Sequence, residues 1–106
     1  MLHFNPSYFQ AVLVSIHDDE SNKFLSNITM GQETFIGAYR TGATDFSWLD
    51  SSVWNYENWA TCSMEPNNDQ GNEYCTIINQ SCDGKNDYWK DVDCSLQYPF
   101  LCQIRY

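Results

Sequence analysis

Four side chains in the second half of the sequence carry oxygen donors of the kind that bind calcium. Glu65, Glu73 and Asp91 supply carboxylates, and Asn67 supplies an amide carbonyl. Calcium is a hard cation that collects about six to eight such oxygens. Pro66 restricts the backbone on both sides of it, so Glu65 and Asn67 can be held in a fixed relation. These residue types indicate a cation site.

The chain is strongly acidic in the region where these donors lie. Fourteen acidic residues against five basic ones give a formal charge of -9. The acids concentrate between Glu65 and Asp93, where Lys85 and Lys90 alone oppose them. This favours a cation site over acidity that only solubilises the chain. It also argues against nucleic acid as a partner, because binding a phosphate backbone requires a basic face.

The chain forms one domain, since 106 residues are too few for two cores. Within it, strands and a long loop must position the oxygen donors. Residues 74–78 predict a strand, residues 83–87 a turn, and residues 88–89 the start of the next strand. Residues 50–70 show no periodicity. A loop of this length in a compact domain is typically a binding segment.

The first half of the chain and its end predict the remaining elements. Asp18 is a suitable N-cap for a helix over residues 19–27, with Phe24, Leu25 and Ile28 on one face. The other predictions are the end of a helix at Tyr8, Phe9, Ala11 and Val12, a buried strand at 13–16, strands at 34–39 and 46–48, and a final strand at 99–104.

The five cysteines favour disulfides over a metal site. They are Cys62, Cys75, Cys82, Cys94 and Cys102; no CxxC pair occurs among them, and both histidines lie far from them in the sequence. Disulfides imply an oxidising, extracellular compartment. The acceptor triplets that begin at Asn27 and Asn79 agree with a secreted glycoprotein.

The first residues do not resemble an export signal, and no segment is apolar enough to enter a membrane. We therefore interpret the chain as a mature fragment or an incomplete one.

Catalysis has little support in the sequence. Two histidines offer no visible Ser-His-acid or Cys-His set. A glycosidase needs two carboxyl groups on opposite sides of a cleft. Glu65 and Glu73 are instead expected on one small loop. The tryptophans Trp48, Trp54, Trp59 and Trp89 are interpreted as anchors of the core and the loop rather than as sugar-stacking platforms. We expect a protein that is not an enzyme.

Several motifs, taken in order, resemble the C-type lectin domain family from about residue 8 to the C-terminus. They are residues 13–17 (LVSIH), 35–38 (FIGA), 46–50 (FSWLD), 54–59 (WNYENW), 65–67 (EPN), Glu73 with Cys75, 89–94 (WKDVDC) and 99–102 (PFLC). The resemblance implies an α+β, C-type lectin-like fold with small antiparallel sheets, two flanking helices, paired first and last strands, and a long ligand-binding loop.

The resemblance also implies that the chain, a single domain over residues 1–106, starts late. The family's first strand and part of its first helix would lie upstream of Met1, which would leave residues 100–104 with an uncovered edge. Cys75 and Cys94 are expected to form a disulfide, and the partner of Cys102 is expected upstream or in another chain. Cys62 and Cys82 are left as a second pair, for which the sequence offers no geometric argument.

In the family, the matching residues bind one calcium ion and hydrogen-bond two adjacent sugar hydroxyls. By position, Glu65, Asn67, Glu73 and Asp91 are the expected calcium- and carbohydrate-binding residues. The Glu-Pro-Asn order resembles the version associated with mannose-, glucose- or fucose-type sugars. The resemblance implies a secreted or extracellular, calcium-dependent carbohydrate-binding domain whose partner is a carbohydrate or a glycoprotein.

Lys90 departs from the family's pattern, which has asparagine at that position. A lysine ammonium has three donors and no acceptor, so it cannot ligate calcium. The alternative hypothesis is that Lys90 replaces the metal by pairing with Glu65, Glu73 or Asp91. The domain would then bind a protein or another ligand without calcium. A third possibility is a disulfide-stapled structural module with no ligand.

Overall fold

The computed structural model of the chain describes residues 10–105. Within that span the elements follow in the order β1 (Gln10–Leu13), α1 (Asp19–Ile28), β2 (Thr34–Ile36), β3 (Ala38–Arg40), β4 (Phe46–Trp48), β5 (Cys75–Cys82), β6 (Lys85–Val92) and β7 (Cys102–Arg105). Two short 3₁₀ turns, Thr61–Ser63 and Asp69–Gly71, interrupt the long segment between β4 and β5.

The strands form small antiparallel sheets. β1 pairs with β7, β3 pairs with β4, and β5 lies between β2 and β6. The predicted α+β class is confirmed. Between residues 10 and 105, α1 is the one α-helix, whereas the resemblance implied two flanking helices.

β1 corrects one prediction about the start of the chain. Ala11 and Val12 lie in a strand rather than at the end of a helix, and Ala11 is paired with Ile104. Leu13 is paired with Cys102, and in this two-stranded sheet the other edge of β7 has no strand partner among residues 10–105. The ladder hydrogen bonds available along β7 explain why this short segment is extended. Tyr8 and Phe9, which shared the helix prediction, lie outside the described residues.

Gly37 divides the predicted strand over residues 34–39 into β2 and β3, which belong to different sheets. A Cβ atom at this position would lie 2.6 Å from the carbonyl oxygen of Leu13 and 2.9 Å from that of Val14. The Gly37 N–H donates to the Val14 carbonyl at 2.8 Å. The close approach of two backbones therefore requires glycine here.

Helix α1 begins as predicted, and its most deeply buried residue lies outside the predicted apolar face. The Asp18 side chain accepts a hydrogen bond from the Ser21 N–H at 2.7 Å. Phe24 and Ile28 are 60% and 51% exposed, whereas Asn22 is fully buried. Asn22 donates to the Asp87 carbonyl and accepts from the Trp89 indole. Polar contacts of Asn22 attach the helix to β6, and Leu25 is the member of the predicted apolar face that packs against the core.

The tryptophans form the centre of the core, as the sequence predicted. Trp48, Trp59 and Trp89 are 2%, 8% and 0% exposed, and Trp54 packs against them. Trp48 and Trp59 both meet the Trp89 ring edge to face, with centroids 5.5 and 5.6 Å apart. These edge-to-face pairs add to the apolar burial. The rings hold the sheets and the long loop together.

One disulfide joins the long loop to the end of β5, and a second joins the start of β5 to the residues after β6. Cys75 is bonded to Cys94, and Cys62 to Cys82, which are the two pairs proposed from the sequence. Cys102 is a free, exposed thiol. No helix within residues 10–105 is long and apolar enough to cross a membrane.

Candidate functional site

The long loop is fixed beside β6 by backbone hydrogen bonds. The Trp89 N–H donates to the Asn58 carbonyl at 2.8 Å, and the Ala60 N–H donates to the Trp89 carbonyl at 2.9 Å. The Glu65 N–H then donates to the Ala60 carbonyl at 3.2 Å. Because Asp91 follows Trp89 by two residues, these contacts bring Glu65 to the part of β6 that carries Asp91.

Three of the predicted site residues converge at this place. Carboxylate oxygens of Glu65, Glu73 and Asp91 lie within 4.8 Å of one another. Glu65 is 7% exposed and Asp91 is fully buried. Buried carboxylates this close together repel one another unless a cation or a proton intervenes.

Asn67 lies at the exposed side of the cluster, and its segment is bound to Asp91. The Asn67 N–H donates to Asp91 Oδ1 at 3.0 Å, and the Asn68 N–H donates to Asp91 Oδ2 at 2.7 Å. The Asp69 N–H is shared between Asn67 Oδ1 at 3.2 Å and Glu73 Oε1 at 2.9 Å. The backbone of residues 67–69 is therefore wrapped around the acidic cluster.

This loop also concentrates unusual backbone conformations. Met64, Asn68 and Gln70 have φ values of 58°, 46° and 62° although none is glycine. Such residues persist where the surroundings determine them, and they cluster at functional sites. The Glu65–Pro66 peptide bond in the same loop is cis.

Arg40 is a site residue that the sequence analysis missed. Its Nη2 lies 2.5 Å from Asp91 Oδ2, and the two side chains are 3% and 0% exposed. Its Nε donates to the Glu73 carbonyl at 2.9 Å, and its Nη1 donates to the Ala43 carbonyl. The guanidinium also lies 4.6 Å from the centre of the Phe46 ring.

The signal that could have found Arg40 is its position in an apolar stretch of an acidic chain. Residues 34–39 were expected to be a strand, and Arg40 follows directly. Arginine is almost never buried unless it is paired. A basic residue next to a buried strand therefore indicates an acidic partner, although the sequence does not say which one.

Lys90 does not pair with the site carboxylates in the way that the alternative hypothesis expected. No nitrogen–oxygen distance of 4.0 Å or less joins it to Glu65, Glu73 or Asp91, whereas Arg40 makes that contact with Asp91. The reason is local: Asp91 Oδ2 already accepts from Arg40 and from the Asn68 N–H. The cation paired with this cluster is an arginine from β3.

The cluster has an oxygen without a partner. Glu65 Oε1 is buried and accepts no hydrogen bond from the described residues. Burial, followed by the hydrogen bond and the charge of Asp91, raises the pKa of Glu65 to about 8, while the charge of Lys90 acts in the opposite direction. Burial also raises the pKa of Glu73. The cluster therefore favours an added positive charge.

The donor set fits calcium in its chemistry. Glu65, Glu73 and Asp91 supply three carboxylates and Asn67 an amide oxygen, and calcium prefers such oxygens. Glu65 Oε1 is buried and has no hydrogen-bond partner among the described residues, so it is available to ligate a cation. Asp91 is partly committed to Arg40 and to the loop amides, which leaves fewer open positions than three free carboxylates would.

Comparison with known proteins identifies the family. The family model of the lectin C-type domain matches residues 7–104. This chain belongs to the C-type lectin domain family. A curated lectin from Pleurodeles waltl is 33% identical over 102 residues, covering 91% of this chain and 56% of that protein. The chain spans about half the length of the curated relatives it matches.

Two further relatives resemble this C-type lectin domain. An alpha-N-acetylgalactosamine-specific lectin from Patiria pectinifera is 33% identical over 101 residues, covering 87% of this chain and 56% of its own length. The solved structure of the EPNH mutant of CEL-I, a C-type lectin from Cucumaria echinata, matches with a TM-score of 0.78 and 26% identity. That match covers 91% of this chain and 69% of the solved one. C-type lectins are a family of binding proteins and not of enzymes, in agreement with the expectation from the sequence.

Proposed function

We propose that this domain binds carbohydrate in a calcium-dependent manner through Glu65, Asn67, Glu73 and Asp91. The observation that carries the proposal is the convergence of three carboxylates within 4.8 Å, one of them with a buried oxygen that has no partner. The family membership supports a carbohydrate ligand, and the strained loop supports a binding role for this segment.

Each residue has a defined part in this proposal. Glu65 and Glu73 would accept hydrogen bonds from sugar hydroxyls, and the exposed Asn67 would donate from its amide. A bound calcium ion would supply positive charge to the acidic cluster and coordinate hydroxyl oxygens. Arg40 would hold Asp91 in place rather than contact the sugar, because it is buried.

The sugar class is part of the proposal. An acid at position 65 and an amide at position 67 give the hydrogen-bond pattern that we associate with mannose-, glucose- or fucose-type hydroxyls. A relative with 33% identity is named for alpha-N-acetylgalactosamine, so the specificity must be decided by this chain's own residues. We propose a mannose-type preference on the basis of Glu65 and Asn67.

A second candidate function follows from the Arg40–Asp91 ion pair. Arg40 already neutralises Asp91, so the loop has a cation without any metal. Lys90 supplies no oxygen where the family's pattern has asparagine. A domain with this pair could bind a protein or another ligand without calcium, with Arg40 in the role that the sequence assigned to Lys90.

A glycan array separates the two candidates. Wild-type protein is applied in calcium and in chelator, together with Glu65→Gln and the matched surface variant Glu57→Gln, whose side chain is exposed outside the cluster. The proposal expects binding to mannose-type glycans that is lost in chelator and in Glu65→Gln but kept in Glu57→Gln. Binding that is unaffected by chelator would favour the metal-free candidate.

We also propose an extracellular location and a glycoprotein or free glycan as the partner. The two disulfides support this location, because disulfides persist in oxidising compartments. Non-reducing mass mapping of protein isolated from its source organism would test it. Reduced Cys75 and Cys94 in that material would contradict it.

A further inference from the structure

The two glycosylation triplets lie in opposite environments. Asn27 is exposed in the last turn of α1, in the triplet completed by Thr29. Asn79 is 3% exposed in β5, in the triplet completed by Ser81. A glycan is a bulky, hydrated group that requires a surface position. Of the two matching triplets, the one at Asn27 is therefore accessible to an attached glycan, and the one at Asn79 is not.

The side-chain amide of Asn79 is fully used inside the protein. Its Nδ2 donates to Thr29 Oγ1 at 2.9 Å and to the Gln32 carbonyl at 2.6 Å. Its Oδ1 accepts from Ser26 Oγ at 2.5 Å. Attachment of a sugar to Nδ2 would remove one of these donors and place the sugar where 3% of the residue reaches solvent. Glycosylation at Asn79 is incompatible with this fold.

The side chain of Asn27 is available. It makes no hydrogen bond with the described residues, and it borders an open cleft of about 320 Å³ between α1 and the β5–β6 turn. Lys23, Lys85 and Asn86 also line the cleft, so its polar walls suit a sugar. An attached first sugar would meet no buried group.

Exposed apolar side chains lie near Asn27 in the sequence. Phe24 and Ile28, on α1, are 60% and 51% exposed, and Met30, two residues beyond the end of the helix, is 89% exposed. A glycan at Asn27 would increase the hydration of this end of the helix.

We infer that Asn27 is an N-linked glycosylation site and that Asn79, in spite of its matching triplet, is not. In the transfer, the Asn27 Nδ2 forms a bond to the anomeric carbon of an N-acetylglucosamine whose bond to a lipid diphosphate breaks. The lipid diphosphate leaves with the electron pair, and the amide loses one proton. The inference rests on passage through a secretory compartment and not on the calcium site, so the two proposals can fail separately.

The test uses the whole chain behind a secretion signal in cultured animal cells. Wild type, Asn27→Gln and Ser81→Ala are compared before and after peptide N-glycosidase, in cells and medium together, so that retained chains are counted. We expect one glycosidase-sensitive mass shift in wild type and Ser81→Ala, and none in Asn27→Gln. After glycosidase treatment, peptide mapping should find aspartate at position 27, because removal of the glycan converts the glycosylated asparagine to aspartate.

Each other outcome overturns the inference. Absence of a shift in wild type would refute glycosylation at Asn27. A shift that is lost in Ser81→Ala, or two shifts of which each variant loses one, would refute the exclusion of Asn79. Thr29→Ser keeps both the acceptor triplet and a hydroxyl that can bond the Leu25 carbonyl, so it should retain the glycan.

Discussion

The guanidinium of Arg40 and the carboxylate of Asp91 form a buried ion pair at 2.5 Å, with exposed fractions of 3% and 0%. The pair joins β3 to β6 across 51 residues of sequence. Its position beside Glu65 and Glu73 makes Arg40 the buried counter-charge of this acidic cluster.

Removal of Arg40 should be costly. Arg40→Met leaves Asp91 buried without its counter-charge, and breaking such a pair destabilises by about 3–5 kcal/mol. Urea unfolding in the presence of chelator measures the loss. Lys23→Met is the control, since the Lys23–Asp19 pair is about 60% exposed and an exposed pair contributes about 0–1 kcal/mol. An Arg40→Met variant as stable as this control would show that the pair does not hold the site.

Lys90 should weaken calcium binding. Lys90→Asn removes a positive charge near Glu65 and Glu73 and adds an amide oxygen. We expect a gain in calcium affinity of about tenfold, for which about 1.4 kcal/mol suffices, because the substitution removes charge repulsion and adds a ligand oxygen. Isothermal titration calorimetry measures the affinity.

Lys85→Asn is the matched control for this experiment. It makes the same substitution in the same strand, at the exposed end far along β6 from Asp91. Equal calcium affinities in wild type, Lys85→Asn and Lys90→Asn would mean that position 90 takes no part in the site.

Asn22 should be as important to the fold as an apolar core residue. Asn22→Ala leaves the Trp89 indole N–H without its buried partner and removes one of two donors to the Asp87 carbonyl, which still accepts from Asn58. An unsatisfied buried group costs about 1–3 kcal/mol, and a loss in that range is expected. Thermal or urea unfolding gives the value. Asn27→Ala, an exposed change in the same helix, should be near neutral, and a similar cost for both would contradict the assigned role.

Asp50 should contribute stability that acid removes. Burial alone would raise its pKa, but hydrogen bonds from Ser15, Ser52 and Gln103 outweigh burial and lower the pKa from 3.8 to about 2. The folded chain thus holds the carboxylate ionised where the unfolded chain takes up a proton. The stabilisation is present above about pH 4 and is lost as the pH falls towards about 2.

Unfolding free energy measured between pH 5 and pH 2 tests this sign. In Asp50→Asn the loss of stability across that window should be smaller than in wild type, whereas the exposed Asp45→Asn should follow wild type. A steeper loss in Asp50→Asn than in wild type would contradict the predicted direction.

Local signals predicted the parts of the fold that local interactions determine. Asp18 caps α1 as its sequence position indicated, and the tryptophans pack in the core because their rings bury a large apolar surface there. The division of residues 34–39 at Gly37 could not be predicted, since it arises from the approach of the Leu13 and Val14 carbonyls at the end of β1. Tertiary contacts of this kind leave no periodicity.

In the site, too, residues marked by a sequence motif could be predicted, and a residue placed by a tertiary contact could not. Glu65, Glu73 and Asp91 were found because their types and order carry the family's pattern, and the structure brings them together. Arg40 was missed because its partner lies 51 residues away and no sequence motif joins them. The alternative hypothesis named Asp91 among the partners of Lys90, and the sequence could not show that Asp91 was already paired with Arg40.

Calorimetric titration of calcium into chelator-treated protein tests the central claim most directly. With three carboxylates and an unpartnered Glu65 oxygen, we predict one saturable site per chain, a rise in melting temperature on saturation, and loss of both in Glu65→Gln. Absence of binding heat and of thermal stabilisation at millimolar calcium would contradict the claim and leave Arg40 as the site's cation.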